Sequence, residues 1–354
     1  MPPIMGSAAF IMAEYSGISY NAIVLAALVP ALLYYTGVFA QVHFRSVKHN
    51  LRPSADEIPS AKETFRTGWV FLLPIIGIIV ALILGYSPTF TAGVGVLVTI
   101  LSAMMLKDTR LSLWQLVEGL GATTLQILPV AGACAAAGLV IGGLSMTGLG
   151  MKSANVILTV SNMQPLLTLV IAAVVTIVLG LGMPTPSAYI LAAVLVGPAL
   201  AKLGFPTLPS QMFLLYYAIL SALTPPIAVA AIAASAIADE DPFKIAFSAV
   251  RLAIVGFLLP FAFVWNPGIL LELGPLANTL AVVGAFAGAL AVAASLEGLV
   301  KTQLTAIERG VLPIAAIGAV SPYLAVSAIC ILVIVAMLIR QIAFTTESAH
   351  VDSA

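Results

Sequence analysis

The sequence predicts an all-α polytopic membrane protein. Of its 354 residues, 61% are hydrophobic and only 8% are charged, whereas about 25% of the residues in a soluble domain carry a charge. At about 20 apolar residues per crossing, the apolar runs can supply about eight spans. Glycine and proline interrupt two of these runs, which predicts helices that break inside the membrane region. A water-soluble fold is excluded.

The charge balance and the cysteines exclude further classes of protein. Fourteen Lys and Arg offset fourteen Asp and Glu, so there is no basic excess to hold a phosphate backbone. We expect the lipid bilayer, and no nucleic acid, around this chain. Cys134 and Cys330 both lie in apolar runs, where a thiol packs as a small hydrophobe, so no disulfide framework is expected.

The first half of the chain predicts three spans. A long apolar run at residues 20–44 is followed by a polar, solvated loop at 45–66, and two further spans are predicted at 68–87 and 90–106. In segment 111–120 the apolar residues recur at helical spacing. This segment predicts a helix on the membrane surface, or equally an extension of the span that follows it.

The second half begins with a span at residues 121–147, whose many Ala and Gly residues are typical of closely packed membrane helices. Apolar stretches at 165–179 and 187–201 have about 15 residues each and are short for a crossing. Residues 165–201 therefore predict a re-entrant hairpin. The run 210–238 is also interrupted and predicts a broken helix. Full spans are expected at 245–265, 276–299 and 311–339.

The basic residues predict the orientation. If loop 45–66 is cytoplasmic and each span crosses once, eleven of the fourteen Lys and Arg lie on the cytoplasmic side, in agreement with the positive-inside rule. Lys152, Lys202 and Arg340 are left outside. Two full crossings at 165–201 would give the same count, so the re-entrant interpretation depends on the short lengths and the central Gly-Pro cluster.

The two interruptions are the candidate binding site. Proline removes an amide donor, and backbone freed in this way is tolerated within a membrane only in protein or beside water. Carbonyls and hydroxyls are suitable ligands for sodium, which we expect to bind through Thr185, Ser187, Thr224 and backbone carbonyls. Two ordinary proline kinks are the alternative. The candidate cation-binding and substrate-binding residues are Gly180, Gly182, Met183, Pro184, Thr185 and Ser187, with Ser221, Thr224, Pro225 and Pro226.

The start of the chain resembles the second interruption. Residues 1–15 align without gaps on residues 224–238, and both contain Pro-Pro-Ile. Pro2 and Pro3 therefore join the candidate site, and residues 1–19 are expected to be the second half of a first broken helix. In the orientation above, the two copies run in opposite directions. The sequence thus predicts an inverted-repeat fold of the ion-transporter type, with a re-entrant hairpin and broken helices.

Charged residues are nearly absent from the apolar runs. Glu14 and Glu297 are the clearest exceptions, and both lie near predicted helix ends. Proton-driven transporters usually place carboxylates or histidines at mid-membrane, so proton relay is disfavoured. No catalytic constellation lies there either, and we expect neither an enzyme nor a cofactor other than a coupling sodium ion. Glu14 is expected to anchor a helix end, with gating as the alternative.

Four long segments carry a family resemblance. They are PPIMGSAAFIMAEYSGI (2–18), MTGLG (146–150), LGMPTPSAYILAAVLVGPAL (181–200) and ALTPPIAVAAIAASAIADEDPFKIAFSAVRL (222–252). They resemble the large membrane component of the tripartite ATP-independent periplasmic (TRAP) transporters, and most of all its fused-permease branch. The similarity covers about residues 1–271. ASLEGLV and AIERGVLP (294–300 and 306–313) resemble the C-terminal extension of that branch.

The resemblance implies a sodium-coupled elevator importer in the bacterial or archaeal cytoplasmic (inner) membrane, to which a periplasmic binding protein delivers an organic acid, dicarboxylate-like or related. Gly180 to Ser187 would be the second hairpin tip, Thr224 to Pro226 the break in its partner helix, and Pro2 and Pro3 the first break. By this similarity, residues 20–120 would be scaffold, 121–265 the second repeat, and 266–354 a C-terminal extension with two spans and a tail.

The chain departs from the family pattern at its start. By this resemblance, we expect the first hairpin, the helices before it and the small-subunit region to be missing from these residues and to come from elsewhere, as a small membrane subunit or the missing N-terminal half. Alone, these 354 residues are not expected to transport. The alternative function is a non-transporting membrane scaffold or a truncated remnant.

Overall fold

The computed structural model describes residues 1–2, 5–51, 60–105 and 109–351. In this part of the chain the regular structure is helical, with short 3-10 turns at Trp69–Leu72, Ser221–Leu223 and Pro267–Leu270. The fold is all-α, as predicted. The helices are α1 Ser7–Ser16, α2 Tyr20–Lys48, α3 Ala61–Gly68, α4 Leu73–Ile83, α5 Pro88–Met105, α6 Leu113–Thr147, α7 Leu149–Val160, α8 Pro165–Gly180, α9 Thr185–Leu195, α10 Gly197–Lys202, α11 Thr207–Leu220, α12 Val229–Ala238, α13 Pro242–Leu252, α14 Ile254–Trp265, α15 Pro275–Glu297, α16 Ala306–Ala319 and α17 Leu324–Val351.

Six helical segments of the described residues are long and apolar enough to cross a bilayer. The remaining apolar helices have 10–17 residues, because glycine and proline divide the runs from which about eight spans were expected. The six segments are Tyr20–Lys48, Pro88–Met105, Leu113–Leu144, Pro242–Trp265, Pro275–Glu297 and Leu324–Gln341.

The main core surrounds α11. This helix packs against α8, α9 and α14, and α1 packs against α9 and α11. The side chains of Tyr189, Phe213 and Phe263 are fully buried in this core, where burial of each large aromatic ring contributes strongly to stability. The Phe213 and Tyr217 rings lie 4.8 Å apart. The core therefore fixes the hairpin arms α8 and α9 against α11.

A second group of helices packs around α2. Helix α15 packs against α2 and α16, and α17 packs against α15 and α16. Gly284 and Gly288 of α15 face Ala316 and Ala319 of α16 so closely that an added Cβ at Gly284 would meet the Ala319 backbone. Small residues therefore permit the close approach of these two helices.

Three elements differ from the sequence interpretation or extend it. Helix α6 is continuous from Leu113 to Thr147, so residues 113–120 extend the following span and form no separate surface helix. Helix α7 was not expected; it follows Gly148, whose φ of 65° ends α6. Within the predicted loop 45–66, α2 continues to Lys48 and α3 begins at Ala61.

The predicted span at 311–339 is not one continuous helix. Helix α16 ends at Ala319 and α17 begins at Leu324, because Pro322 disfavours helical backbone at Ser321 before it. The chain then turns back, since Arg340 of α17 forms a 3.2 Å ion pair with Glu308 in the first turn of α16. Arg340 therefore lies at the end of the bundle that holds Glu308, and not at the opposite end as the orientation count had assumed.

The two Pro-Pro-Ile copies lead into matching elements. Helices α1 and α12 each have ten residues. Gly6 (φ 77°) and Ala228 (φ 39°) precede them, and Gly17 (φ 71°) and Asp239 (φ 50°) follow them, all with positive φ. A long helical segment comes next in both copies, α2 or α13 with α14. This correspondence in length and turns supports the predicted repeat.

Candidate functional site

The hairpin tip lies between α8 and α9, which pack against each other. Helix α8 ends at Gly180, and the chain then turns through Gly182, which has a left-handed φ of 72°. Pro184 is the N-cap of α9, and no side chain caps that helix. The tip residues Gly182 and Pro184 are exposed, while Met183 and Thr185 are half-buried.

The broken helix comprises α11 and α12. Helix α11 tightens into a 3-10 turn at Ser221–Leu223, and the chain is extended at Thr224 (φ −89°, ψ 128°). Pro225 and Pro226 follow, joined by a cis peptide bond, and α12 starts after Ala228. The helix is therefore interrupted at both predicted places, between Gly180 and Thr185 and between Ser221 and Val229.

The hairpin tip and the helix break touch each other. A Cβ added at Gly180 would lie 2.7 Å from the Ser221 Cβ and 3.4 Å from the Ala188 Cβ. A Cβ added at Gly182 would lie 3.2 Å from the Ile227 Cδ1. Two segments separated by about 40 residues in the sequence thus form one site, and the absence of a side chain at Gly180 is what permits the contact.

The breaks leave oxygen atoms without backbone partners. Among the described residues, no backbone amide outside the helices donates to any of six carbonyls at the two breaks. Such groups are costly in apolar surroundings unless a ligand, water or other polar group satisfies them. The six carbonyls belong to Leu181, Gly182, Met183, Pro225, Pro226 and Ile227.

The hydroxyl groups of the site are in two different states. The Ser187 side chain is 3% exposed, and its Oγ has no hydrogen-bond partner in the described part of the chain. By contrast, Ser221 Oγ donates to the Ala218 carbonyl (2.7 Å), and Thr224 Oγ1 donates to the Leu220 carbonyl (2.9 Å). Both donating oxygens keep lone pairs that a cation could use.

One further residue was missed by the sequence interpretation. Thr176 lies one turn before Gly180 on α8, is fully buried, and has an Oγ1 without a partner among the described residues. Its spacing of four residues from Gly180 places the two on one helix face. The sequence did contain a signal for Thr176, because its hydroxyl lies inside an apolar run, four residues before the hairpin glycine.

The predicted first break is described only in part. Pro2 is half-buried in a turn, and Pro3 lies outside the described residues. The helix that follows, α1, packs against α9 and α11. The first repeat therefore contacts the hairpin arm through α1, and Met12 is fully buried in the shared core.

Neither break carries a charged side chain. Residues 180–187 and 221–228 contain no Asp, Glu, Lys, Arg or His. The electrostatic character of the site therefore comes from carbonyls, hydroxyls and the N-termini of α9 and α12. A helix N-terminus carries about half a positive elementary charge. The site offers oxygen ligands for a cation beside two helix ends that favour an anion.

Comparison with known proteins agrees with this architecture. The family model described as "Tripartite ATP-independent periplasmic transporter, DctM component" matches residues 1–275. No curated protein and no solved structure matches the chain. The matched family consists of transporter components and not of enzymes, and with several apolar helices it indicates a multi-pass membrane protein. Because the match covers more than half of the 354 residues, the chain belongs to the DctM components of the tripartite ATP-independent periplasmic transporters.

Proposed function

We propose that this chain is the permease component of a sodium-coupled, binding-protein-dependent TRAP transporter that imports organic acids by an elevator mechanism. The observation that carries the proposal is the contact between the hairpin tip and the broken helix, where Gly180 approaches Ser221. Broken helices that meet around unpaired backbone groups are typical of secondary transporters.

The donor set suits sodium. Six carbonyls without backbone partners and the unpartnered Ser187 Oγ are neutral, hard oxygen ligands. Thr185 and Thr224 would add hydroxyl oxygens, and Thr176 is a further candidate. Because charged side chains are absent from both breaks, a bound cation would keep its positive charge for interaction with an anionic substrate.

An organic acid fits the same region. Its carboxylate would be favoured by the sodium charge and by the uncapped N-termini of α9 and α12. No Lys or Arg within the breaks would select one acid over another. We therefore assign much of the substrate selection to a periplasmic substrate-binding protein, with a small membrane subunit as the second partner.

The packing is consistent with an elevator. The hairpin arms α8 and α9 pack with α11 and α1, α2 packs mainly with α15 and the turn at Pro267–Leu270, and α14 packs against both α11 and α2. In the proposed motion the first group would carry the site while the group around α2 stays fixed. The chain passes between the two groups at residues 17–19, between α1 and α2.

Sodium-dependent stabilisation tests the proposal. The purified protein in nanodiscs is heated in sodium chloride or in choline chloride of equal ionic strength. A ligand at 100 times its Kd stabilises the folded state by about 2.7 kcal/mol, so sodium is expected to raise Tm. Ser187→Ala should reduce this rise without lowering Tm in choline, because the serine oxygen lacks a protein partner.

Ser210→Ala is the matched control. Ser210 is also buried and its Oγ also lacks a partner in the described chain, but it lies near the start of α11, at the end away from the break. Its sodium response should equal that of the unchanged protein. Equal Tm values in sodium and choline for the unchanged protein would contradict sodium coupling and favour the membrane-scaffold alternative.

A further inference from the structure

An open surface pocket of about 590 Å³, called the cavity below, lies where α1, α2 and α5 meet. Its volume is within the range of small-molecule sites, which is roughly 300–1,000 Å³. It is separate from the hairpin tip and the helix break, since it shares no lining residue with them. The lining includes Phe10, Glu14, Ser19, Tyr20, Thr89 and Ala92.

Glu14 gives this cavity its charge. It is the one charged residue of the lining, and none of the ion pairs formed by the described residues involves it. It lies in the last turn of α1, where the helix end adds about half a negative charge. Glu14 is exposed, so a cationic ligand can reach its carboxylate, and a carboxylate without a counter-ion attracts such a ligand.

Two helix N-termini at the cavity oppose this charge only in part. Helix α2 begins at Tyr20 and α5 at Pro88, and together they supply about one positive charge against about 1.5 negative charges from Glu14 and the end of α1. The Ser19 hydroxyl already accepts from the Ala22 amide, and the Ser87 hydroxyl accepts from the Phe90 amide. The remaining balance is negative.

The walls provide an aromatic surface that is held in place. The Phe10 and Tyr20 rings stack with centroids 4.4 Å apart and planes 15° from parallel. Tyr20 is buried with Ala9 and Leu82 in a small core, and Asn21 Nδ2 donates to the Leu82 carbonyl (3.0 Å). Phe10 is 38% exposed, so its ring is available for contact with a cation, an interaction worth about 0.5–2 kcal/mol.

We propose that this cavity binds the ammonium group of an amphiphilic amine, with Glu14 as the ion-pair partner and Phe10 as the aromatic contact. The Thr89 hydroxyl is a further acceptor for an ammonium N–H. The apolar part of the ligand would contact Ile18 and Ala92, which also line the cavity. The site goes beyond the proposed function, and its occupancy does not depend on sodium.

Binding of 2-phenylethylammonium tests the proposal, with 2-phenylethanol as a neutral probe of similar shape. Calorimetric titration of the protein in phosphatidylcholine nanodiscs should give a Kd at least about tenfold lower for the amine. Glu14→Gln should raise the Kd of the amine about tenfold and leave that of the alcohol unchanged. Ala92→Leu, which fills the cavity, should weaken both probes.

Glu272→Gln is the matched control, because Glu272 is an exposed carboxylate outside the cavity. The Kd of the amine for this variant should equal its Kd for the unchanged protein. Thermal unfolding checks that each variant is folded. If Glu14→Gln does not fold, the proposal is still tested by the Kd values of the two probes, measured for the unchanged protein and for Ala92→Leu. Equal Kd values for the amine and the alcohol, or an unchanged Kd of the amine in both cavity variants, would overturn the proposal.

The lipid composition of the nanodiscs distinguishes a lipid headgroup from a free amine as the natural ligand. In nanodiscs that contain phosphatidylethanolamine, a raised Kd for 2-phenylethylammonium would show that the ethanolamine headgroup competes for the cavity and is its natural occupant. An unchanged Kd would show that the cavity prefers a free amphiphilic amine. Either result is compatible with an ammonium site beside Glu14.

Discussion

Gly180 allows the hairpin to approach the broken helix. A Cβ at this position would lie 2.7 Å from the Ser221 Cβ, and neither atom belongs to a flexible side-chain end. Gly180→Ala should therefore force α8 away from the turn after α11 and destabilise the protein by about 1–3 kcal/mol, the usual cost of overpacking. Thermal unfolding in nanodiscs measures this loss, and the sodium-dependent rise in Tm should fall with it.

Gly93→Ala is the control for the loss of a glycine inside a helix. Nothing lies within 4 Å of a Cβ added there, so the free energy of unfolding of this variant should rise by roughly 0.5–1 kcal/mol. The double variant Gly180→Ala with Ser221→Gly should recover most of the stability, because it removes the side chain that clashes. A Gly180→Ala protein as stable as Gly93→Ala would show that the hairpin and the break do not touch.

At the residue scale, the sequence predicted where the backbone breaks but not which hydroxyls lack partners. Glycine and proline act locally, so Gly180 to Pro184 and Thr224 to Pro226 could be recognised directly. The hydroxyls depend on position within the helix. Ser221 and Thr224 bond to carbonyls three and four residues earlier, whereas Ser187 is the third residue of α9 and has no helical carbonyl behind it.

The carboxylate of Glu308 makes the stability of the C-terminal helices depend on pH. Its carboxylate accepts from the Thr305 amide (2.8 Å) and from Gln341 Nε2 (3.2 Å), and it pairs with Arg340. The hydrogen bond from the Thr305 amide is the main cause that lowers the pKa of Glu308. A lowered pKa means stability that is present above the unfolded pKa, near 4.3, and is lost as the pH falls through the folded pKa.

We therefore expect Glu308→Gln to destabilise the protein at pH 7 by about 1–3 kcal/mol, and to have a smaller effect below about pH 4. Thermal unfolding from pH 3 to pH 7 measures the difference. Glu240→Gln is the control, because Glu240 pairs with Lys244 on the surface, where water and salt screen an ion pair and its loss changes stability little. A Glu308→Gln effect of the same size at pH 3 and pH 7 would contradict the linkage.

At the element scale, the long apolar runs and the breaks at Gly180 to Pro184 and Thr224 to Pro226 were recognised, but the break inside the run 311–339 was not. Spans around α2, α5, α6 and α15 were expected from length and apolar character alone. The break between α16 and α17 was hidden because Ser321 and Pro322 lie within a run that remains apolar on both sides. Contacts between residues distant in the sequence stabilise the turn at this break. Asn266 Nδ2 donates to the Val320 carbonyl (3.1 Å), and Arg340 forms an ion pair with Glu308.

At the scale of the whole molecule, polar contacts join the C-terminal helices to the matched family region. Lys48 Nζ at the end of α2 donates to the Glu297 carbonyl (2.8 Å), and Arg251 at the end of α13 pairs with the Glu297 carboxylate (3.2 Å). Glu297 is 1% exposed, and the ion pair with Arg251 replaces only part of the water that its carboxylate has lost, since Oε1 has no hydrogen-bond partner among the described residues. The ends of α2, α13 and α15 therefore lie on the same side of the molecule, as the predicted orientation requires.

The return of α17 gives the last prediction. Since Arg340 lies beside Glu308, it joins the eleven basic residues assigned to the cytoplasmic side, and only two of the fourteen remain outside. The positive-inside rule then places Arg340 and Lys301 in the cytoplasm and Glu272, between α14 and α15, on the opposite side. The predicted single span at 311–339 had placed Arg340 outside.

Cysteine labelling distinguishes the two arrangements. In a protein whose Cys134 and Cys330 are replaced by alanine, Glu272→Cys should react with a membrane-impermeant maleimide in intact cells. Lys301→Cys and Arg340→Cys, both at exposed positions, should react only after permeabilisation. Labelling of Arg340→Cys together with Glu272→Cys in intact cells would restore the single span, because the two positions would then share a side. Labelling of Lys301→Cys and Arg340→Cys alone would keep the returning helix and reverse the orientation of the whole molecule.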